Sequence, residues 1–369
     1  MGKNIHGQTR WQIHRHTENQ RRGTWPTALL RPSSRAAWPS DRLALLPGTA
    51  IREKTVRTKN AFPSYAVAAV WLTAALIVSG QQAKRPERAP LPPPTQADVP
   101  YGKHKRHRLD FWRAKTNSPA PLVVFIHGGG WSVNDKDALR ANALQAFSKA
   151  GISVASINYR YVSQAPFPSS FHDAARAVQF LRSKADAWGI DPSRVAAYGN
   201  SAGGIMSLWL AFHDDRADLN SDDPVLRRST RLTCAGGVGA ASTLDLHLAR
   251  KWVGESVTKH RSWPRMFGVQ TIDEVLAPKM KKLRQEVSPI HHLTRDDPPV
   301  FLQYNQPNEK LAPDASPAKA VHHPVFGLML QQAMAPLKIE CGLQFPGQPE
   351  KANPRALIEF IQAKLAKRK

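Results

Sequence analysis

Ser201 lies in a setting that can turn a serine hydroxyl into a nucleophile. It is the central residue of the pattern G-x-S-x-G at positions 199–203. The apolar stretch at 194–198 predicts a strand before the pattern, and residues 202–212 predict a helix after it. A sharp turn between a strand and a helix lifts the serine hydroxyl out of the sheet, and the glycines let neighbouring backbones approach closely. The helix N-terminus also favours developing negative charge. We therefore predict that Ser201 is a nucleophile.

A second glycine-rich turn follows the first strongly apolar stretch of the folded region. The sequence reads HGGGW at positions 127–131, directly after that stretch. Successive glycines let the backbone approach a substrate and point its N–H groups inward. We predict that the N–H groups of Gly128 and Gly129, together with that of Ala202, form an oxyanion hole for the tetrahedral intermediate of acyl transfer. A plain flexible turn is the alternative interpretation, but two such motifs at the ends of two strands are less expected by chance than either one alone.

Strand and helix signals alternate along the chain after residue 100, which predicts an α/β fold with a mostly parallel central sheet and helices on both faces. The predicted strands are 121–127, 152–158, 194–198, 232–238, 300–304 and 339–345, and the predicted helices are 137–150, 171–188, 202–212, 325–335 and 354–367. The stretch from 246 to 286 interrupts the alternation and is basic. We expect it to form a small cap over the active site, the alternative being a surface excursion with no functional role.

These motifs make the chain similar to α/β-hydrolases of the esterase/lipase group. It resembles hormone-sensitive-lipase-like enzymes and looks nearest to a bacterial carbohydrate-esterase-like branch that includes acetyl-xylan and feruloyl esterases. The resemblance covers roughly 109–365, and the matching segments are HGGGW at 127–131, NYRY at 158–161, GIDPSRV at 189–195 and GNSAGG at 199–204. It implies the α/β-hydrolase fold and hydrolysis of carboxylic esters with short acyl groups. It also implies an acyl-enzyme intermediate on Ser201, and no metal or organic cofactor.

The base and the acid of the catalytic triad depart from the pattern of that group. The resemblance places the histidine after the last strand, yet no histidine follows Phe345. It places the acid in a short loop after the strand at 300–304, where Asn308 occupies the expected position and Glu309 is the adjacent carboxylate. A serine without a base stays protonated and reacts poorly at neutral pH. This departure puts an intact triad in doubt.

Two neighbouring histidines offer a replacement for the missing base. His322 and His323 follow the acid loop and precede the helix at 325–335, so they open near the same edge of the sheet. We take His323 and Glu309 as the remaining triad members, with His322 and Asp314 as the alternatives. The competing interpretation is that both histidines only line a surface loop or cap the helix.

Three functions remain open from the sequence. The first is a serine carboxylesterase with an atypical triad, which the intact glycines at both turns favour, because a binding protein has no need of a strained nucleophile turn. The second is a non-catalytic protein on a hydrolase scaffold that has lost its catalytic histidine and binds a ligand or a polysaccharide. The third is a peptidase-like hydrolase of the same fold, which usually comes with a propeller or a larger lid, and the sequence shows neither.

The region before the hydrolase domain has the features of an export signal. Residues 1–60 are basic and show no helical or strand period, so we expect them to be disordered, or absent if translation begins near Val56. Residues 61–83 combine an apolar core with a basic flank before it and small residues after it, as in a signal peptide. An uncleaved membrane anchor is the alternative. Residues 84–100 are rich in proline and predict an extended linker to the domain at 101–369. The protein is therefore expected to be exported, to the periplasm or the medium.

The charge and the cysteine content restrict the partners. The formal net charge is +24, but 12 of the lysines and arginines lie in the first 60 residues, and no nucleic-acid-binding motif accompanies the others. We therefore expect a small-molecule or carbohydrate ester as substrate and no nucleic acid. Cys234 and Cys341 are the two cysteines, too few for a disulfide-rich scaffold and without a metal-ligand pattern. Each lies in a predicted strand and is expected to be a buried small hydrophobe.

Overall fold

The central sheet confirms the predicted α/β-hydrolase class. A computed structural model describes residues 89–348 and 353–366. Its sheet has the strand order β1-β2-β4-β3-β5-β6-β7-β8. The two ladders made by β2 are antiparallel and all the others are parallel. The strands are β1 (Gln96–Pro100), β2 (Arg108–Trp112), β3 (Ala120–Ile126), β4 (Ser153–Ile157), β5 (Ile190–Asn200), β6 (Cys234–Val238), β7 (Val300–Gln303) and β8 (Cys341–Gln344).

Helices cover both faces of this sheet, so its central strands are buried on both sides. All residues of β3 and β4 are buried, which explains why β3 reads as a continuous apolar stretch rather than as an alternating one. The helices are α1 (Ala141–Lys149), α2 (Ser169–Ser183), α3 (Ala185–Trp188), α4 (Ala202–Phe212), α5 (Leu246–Val253), α6 (Trp263–Phe267), α7 (Ile272–Leu276), α8 (Lys281–Glu286), α9 (Pro317–Val321), α10 (Val325–Met334) and α11 (Ala356–Leu365). Single α-helices were expected at 171–188 and 202–212; the first is divided between α2 and α3, and the second matches α4.

The two cysteines are buried in this core, as the sequence predicts. Cys234 begins β6 and Cys341 begins β8, and both thiols are free. Burial raises the pKa of each thiol to about 12, so neither is a reactive thiolate at neutral pH.

The predicted boundary between linker and domain at residue 100 is wrong. The last five residues assigned to the linker form β1, which pairs antiparallel with β2 at the edge of the sheet. The N–H of Asp98 also donates to the Asp110 carboxylate over 2.7 Å. Residues 95–99 contain no proline, unlike residues 90–94, and their N–H groups are therefore available for a sheet edge.

The predicted basic segment at 1–60 and the predicted signal or anchor at 61–83 lie outside the described residues. Within the described part of the chain, none of the helices combines the length and apolarity that crossing a membrane requires.

The region expected to form a cap is a group of short helices, α5 to α8, joined by 3₁₀ turns. Arg284 of α8 is almost fully buried and holds this group together from inside. Its guanidinium donates to the carbonyl of Val275 over 2.5 Å and to the carboxylate of Asp245 over 3.2 Å. The region is thus a packed unit of short helices.

Candidate active site

Ser201 occupies a strained turn between β5 and α4. Its backbone has φ 51° and ψ −118°, a conformation that residues other than glycine rarely adopt. Such a conformation is unfavourable by about 1–3 kcal/mol and persists only where the surrounding structure holds it in place. Here the Ser201 N–H donates to the carbonyl of Val238, on the neighbouring strand β6, over 2.8 Å. The structure thus has the sharp strand-to-helix turn at Ser201 that the motif predicts.

Close packing requires glycine at position 203, two residues after Ser201. A Cβ atom on Gly203 would overlap the carbonyl oxygen of Ile126 at the end of β3 and would lie 2.6 Å from the Ile126 carbonyl carbon. Both neighbours are backbone atoms that cannot rotate away. The first turn of α4 can therefore lie directly against β3 only with glycine at this position.

His322 is the histidine that contacts the nucleophile. Its Nε2 atom lies 2.8 Å from the Ser201 hydroxyl oxygen, at hydrogen-bond distance. The residue caps the C-terminus of α9, between β7 and α10, and its ring is mostly buried. It therefore approaches Ser201 from the loop region after β7, not from the loop after β8 where the esterase/lipase group carries its histidine.

The choice of His323 as the partner of Ser201 is corrected by this geometry. The ring of His323 is 5% exposed and faces away from the nucleophile. Its Nε2 atom lies 2.8 Å from the backbone carbonyl oxygen of Glu309, and its Nδ1 atom accepts from the N–H of Val325 over 3.2 Å. Because the chain turns from α9 into α10 here, consecutive side chains point in different directions. His323 joins the 309 loop to the start of α10.

The structure does not bring the expected acid to the base. The carboxylate of Glu309 is exposed, and only its backbone carbonyl meets a histidine, namely His323. Asp314, the alternative acid, and Asn308 are exposed as well. Across residues 89–348 and 353–366, no ion pair joins His322 to a carboxylate.

The groups around His322 set its protonation equilibrium. Burial lowers the pKa of His322 below its ordinary value. The backbone carbonyl of Ala318, one helical turn earlier in α9, favours the protonated ring and offsets part of that effect.

The predicted oxyanion loop lies beside the nucleophile. A Cβ atom on Gly128 would be 2.6 Å from the carbonyl oxygen of Asn200 and 3.4 Å from the Cβ atom of Ser201, so the loop backbone runs directly along the turn. Gly129 has φ 101°, in the left-handed region that favours glycine. Ala202 is fully buried at the first position of α4. The three predicted N–H donors thus belong to backbone segments that meet at Ser201.

His127 and Tyr159 hold this loop in place. The Tyr159 hydroxyl donates to the carbonyl of His127 over 2.9 Å, and the two rings stack with centroids 4.2 Å apart. The Nδ1 atom of His127 lies 2.8 Å from the carbonyl oxygen of Gly128. Burial lowers the pKa of His127 to about 4, so the ring is neutral at physiological pH and can donate to that carbonyl. Tyr159 entered the sequence comparison only as part of the NYRY segment, and its contact with the loop required the tertiary structure.

The cap packs against the same loop. The hydroxyl of Ser262 donates to the carbonyl of Gly130 over 2.8 Å. His260 lies beside Gly130 too, since a Cβ atom there would be 3.2 Å from the His260 ring. Burial lowers the pKa of His260, and the nearby His322 ring lowers it further. A second imidazole therefore lies near His322. No feature of the sequence indicated His260.

The three tryptophans near the cap pack against other aromatic residues. Trp131 lies 6.2 Å from Phe171 and 6.3 Å from Trp263, measured between ring centroids, and both tryptophans are buried. Trp252 packs edge-on against Phe326 at 5.8 Å. These contacts agree with a role in core packing rather than with a surface for stacking sugars.

A cavity of about 840 Å³ opens at the nucleophile. Ser201 and His322 both line it, together with residues from the ends of β5, β6 and β7 and from α1, α9 and α11. In open α/β sheets, ligands bind beyond the carboxyl ends of the strands, and this cavity lies at such an edge. Its volume lies within the range of small-molecule sites.

Comparison with known proteins identifies the family of this chain. A sequence model of the BD-FAE family matches residues 109–318, which is more than half of the chain. The chain belongs to the BD-FAE family. The matched residues include the glycine-rich loop and Ser201, and they end at Ala318, four residues before His322.

Individual relatives of this BD-FAE chain are esterases by name. It is 35% identical to the carboxylesterase NlhH of Mycobacterium tuberculosis over 101 residues, which are 27% of this chain and 32% of that protein. It is 27% identical to the esterase LipC of the same species over 211 residues, which are 55% of this chain and 49% of LipC. The chain thus spans half or less of the length of these curated relatives.

A truncated carbohydrate esterase from gut microbiota has a similar structure, with a TM-score of 0.58 and 18% sequence identity. The similarity covers 74% of this chain and 96% of that one. At this identity the likeness supports the shared fold.

Proposed function

We propose that this BD-FAE chain is a serine carboxylesterase that hydrolyses esters with short acyl groups through an acyl-enzyme on Ser201, with His322 as the base. The observation that carries the proposal is the 2.8 Å contact between His322 Nε2 and the hydroxyl of Ser201 in a strained turn. The esterase names of the relatives support the reaction class.

The residues supply each step of a two-step acyl transfer. His322 takes the proton of the Ser201 hydroxyl as its oxygen attacks the ester carbonyl carbon. The carbonyl oxygen becomes an oxyanion, which the N–H groups of Gly128, Gly129 and Ala202 stabilise. The ester C–O bond then breaks, and His322 returns the proton to the leaving alkoxide. A water molecule, deprotonated by the same histidine, attacks the acyl-enzyme and releases the carboxylic acid.

We infer that the carbonyl of Ala318, which favours the protonated His322 ring, takes part of the role of the triad acid. A neutral carbonyl stabilises the imidazolium less than a carboxylate does. An alkoxide leaves more readily than an amine and needs less help from the protonated base. The arrangement therefore favours esters over amides, which argues against the peptidase-like alternative.

The non-catalytic alternative depended on the missing histidine after the last strand. His322 fills the position of the base from a different loop, and this removes the main argument for that alternative. A binding protein also has no need of a strained serine beside a supported glycine loop.

Labelling with a fluorophosphonate probe tests the proposal without an assumption about the substrate. The full chain, the Ser201→Ala variant and the His322→Ala variant are incubated with the probe, and labelled protein is quantified. We expect labelling of the parent chain, none in Ser201→Ala and a strong reduction in His322→Ala. A folded parent chain that takes up no label would refute the proposed function and leave the binding alternative.

We also propose that the protein is exported through residues 61–83, as the order of basic, apolar and small residues suggests. Retention of those residues as a membrane anchor is the alternative. Mass spectrometry of the mature N-terminus separates the two. A mature chain beginning after residue 80 is expected, and peptides from residues 1–50 in the mature protein would contradict the proposal.

A further inference from the structure

The cavity at Ser201 is positively charged. Among its described lining residues, Arg140 and Lys319 bear a full charge at neutral pH, and both are cations. Five others are amides: Asn142, Asn200, Gln303, Asn305 and Gln306. The described lining contains no carboxylate. Apolar side chains, among them Phe125, Val238 and Leu357, complete the lining, so the cavity combines an apolar wall with cations and amides.

Arg140 and Lys319 are surface cations that border the cavity. Both side chains are exposed, and neither takes part in an ion pair with the residues that the structure describes. Arg140 directly precedes α1, whereas Lys319 belongs to α9. Two separate elements therefore bring cations that form no ion pair within the described residues to one cavity.

The backbone that presents Lys319 is well held. Its carbonyl accepts from the side-chain amide of Gln306 over 2.7 Å, and its N–H donates to the hydroxyl of Ser316 over 3.2 Å. Lys319 lies three residues before His322, in the helix that the base caps. The backbone at Lys319 is thus fixed, while its exposed side chain remains available to a ligand.

We propose that this cavity selects esters that bear a carboxylate, on either the acyl or the alcohol part, and that Arg140 and Lys319 recognise that group. The inference rests on the proposed esterase function and names its substrate class. An arginine can bind a carboxylate with two parallel hydrogen bonds, and a lysine adds a compact charge. The uncharged amides can hydrogen-bond to neighbouring hydroxyl or carbonyl groups of the same substrate. The reaction remains hydrolysis, in which water and the ester give a carboxylic acid and an alcohol.

Two matched pairs of esters test the inference with the full chain. Mono-4-nitrophenyl glutarate against 4-nitrophenyl butyrate places the carboxylate on the acyl part. 4-Acetoxybenzoate against 4-acetoxybenzamide places it on the alcohol part. The ratio of kcat/KM for the charged and the neutral ester is measured for the parent chain, Arg140→Gln, Lys319→Gln and the double variant. Lys149→Gln is the matched control, because Lys149 is an exposed cation at the far end of α1 and does not line the cavity.

We expect the charged ester of at least one pair to be preferred, and the ratio to fall about three- to tenfold for each cation removed. The loss should appear as a higher KM for the charged ester, because the cations contact its carboxylate both in the bound substrate and in the transition state. Neutral esters and the Lys149→Gln control should be unaffected. Raising the salt concentration from about 0.02 M to about 0.5 M shortens the Debye length several-fold and should reduce the preference of the parent chain.

A ratio that stays the same in the double variant would overturn the inference. If neutral esters are hydrolysed and the fluorophosphonate labels Ser201, that failure concerns the substrate class alone. If neither the esters nor the probe react, the proposed function fails and the inference fails with it.

Discussion

Exchange of the two neighbouring histidines for alanine should separate catalysis from stability. His322 contacts the Ser201 hydroxyl, whereas the hydrogen bonds that the His323 ring makes in the described part of the chain are to backbone groups of Glu309 and Val325. We therefore predict that His322→Ala abolishes turnover and leaves the fold largely intact. His323→Ala should instead destabilise the fold and leave most of the turnover number. The two positions are adjacent in sequence, so a general disturbance of this segment would affect both variants alike.

The expected sizes follow from the contacts of each ring. Removal of the base of a serine hydrolase lowers kcat by about 10³- to 10⁶-fold. His323 makes two hydrogen bonds, each contributing about 1 kcal/mol, and its buried ring adds packing that alanine cannot replace. We expect His323→Ala to lower the free energy of unfolding by about 2–4 kcal/mol. Its kcat, measured well below the unfolding transition, should stay within about tenfold of the parent value.

The assay combines hydrolysis of 4-nitrophenyl acetate with urea unfolding followed by tryptophan fluorescence. Active-site titration with a fluorophosphonate corrects kcat for the fraction of folded enzyme. Glu309→Gln serves as the control for His323→Ala, because it changes the exposed carboxylate and keeps the carbonyl that His323 contacts. Full turnover in His322→Ala, or a loss of kcat of more than about 10³-fold in a folded His323→Ala sample, would refute the assignment of the base.

Three further outcomes are expected. The base must be neutral to accept a proton, and burial lowers the pKa of His322. We therefore expect kcat/KM to fall as the pH decreases, with a midpoint below about 6.5. A midpoint at or above 7 in the pH–rate profile would point to a carboxylate partner. Glu309→Gln should keep kcat within about threefold in the same hydrolysis assay, because its carboxylate does not meet His322, and a loss of about 10²-fold or more would restore Glu309 as the acid. Gly203→Ala should lower the free energy of unfolding by about 3 kcal/mol or more, as its Cβ atom would overlap the backbone of Ile126, and an unchanged urea midpoint would contradict the packing argument.

The parts of the site that are contiguous in sequence could be predicted from it. The turn at Ser201 and the glycine loop after β3 are each short segments whose residue types force a local backbone conformation. The glycine at 203 belongs to the motif, whereas its clash partner, Ile126 of β3, was visible only in the structure. The parallel sheet was predictable because strands buried on both faces are mostly apolar.

The edge of the sheet was less visible in the sequence. The sequence preceding β1 contains several prolines, and this composition indicated a linker. β1 is exposed on both faces along most of its length, so its residues show no apolar alternation. Only the pairing of Gln96–Pro100 with β2 showed that the domain begins earlier.

The base and its orienting group depend on how distant segments meet. The sequence narrowed the base to two adjacent histidines, but it contains no signal for the direction in which each ring points at the junction of α9 and α10. That direction is set by packing, which turns His323 towards the Glu309 carbonyl and His322 towards Ser201. A backbone carbonyl such as that of Ala318 has no sequence signature at all, because every residue has one. The sequence by itself therefore determined the fold and singled out Ser201 and the glycine loop, whereas the tertiary structure decided which histidine meets Ser201 and which cations line the cavity.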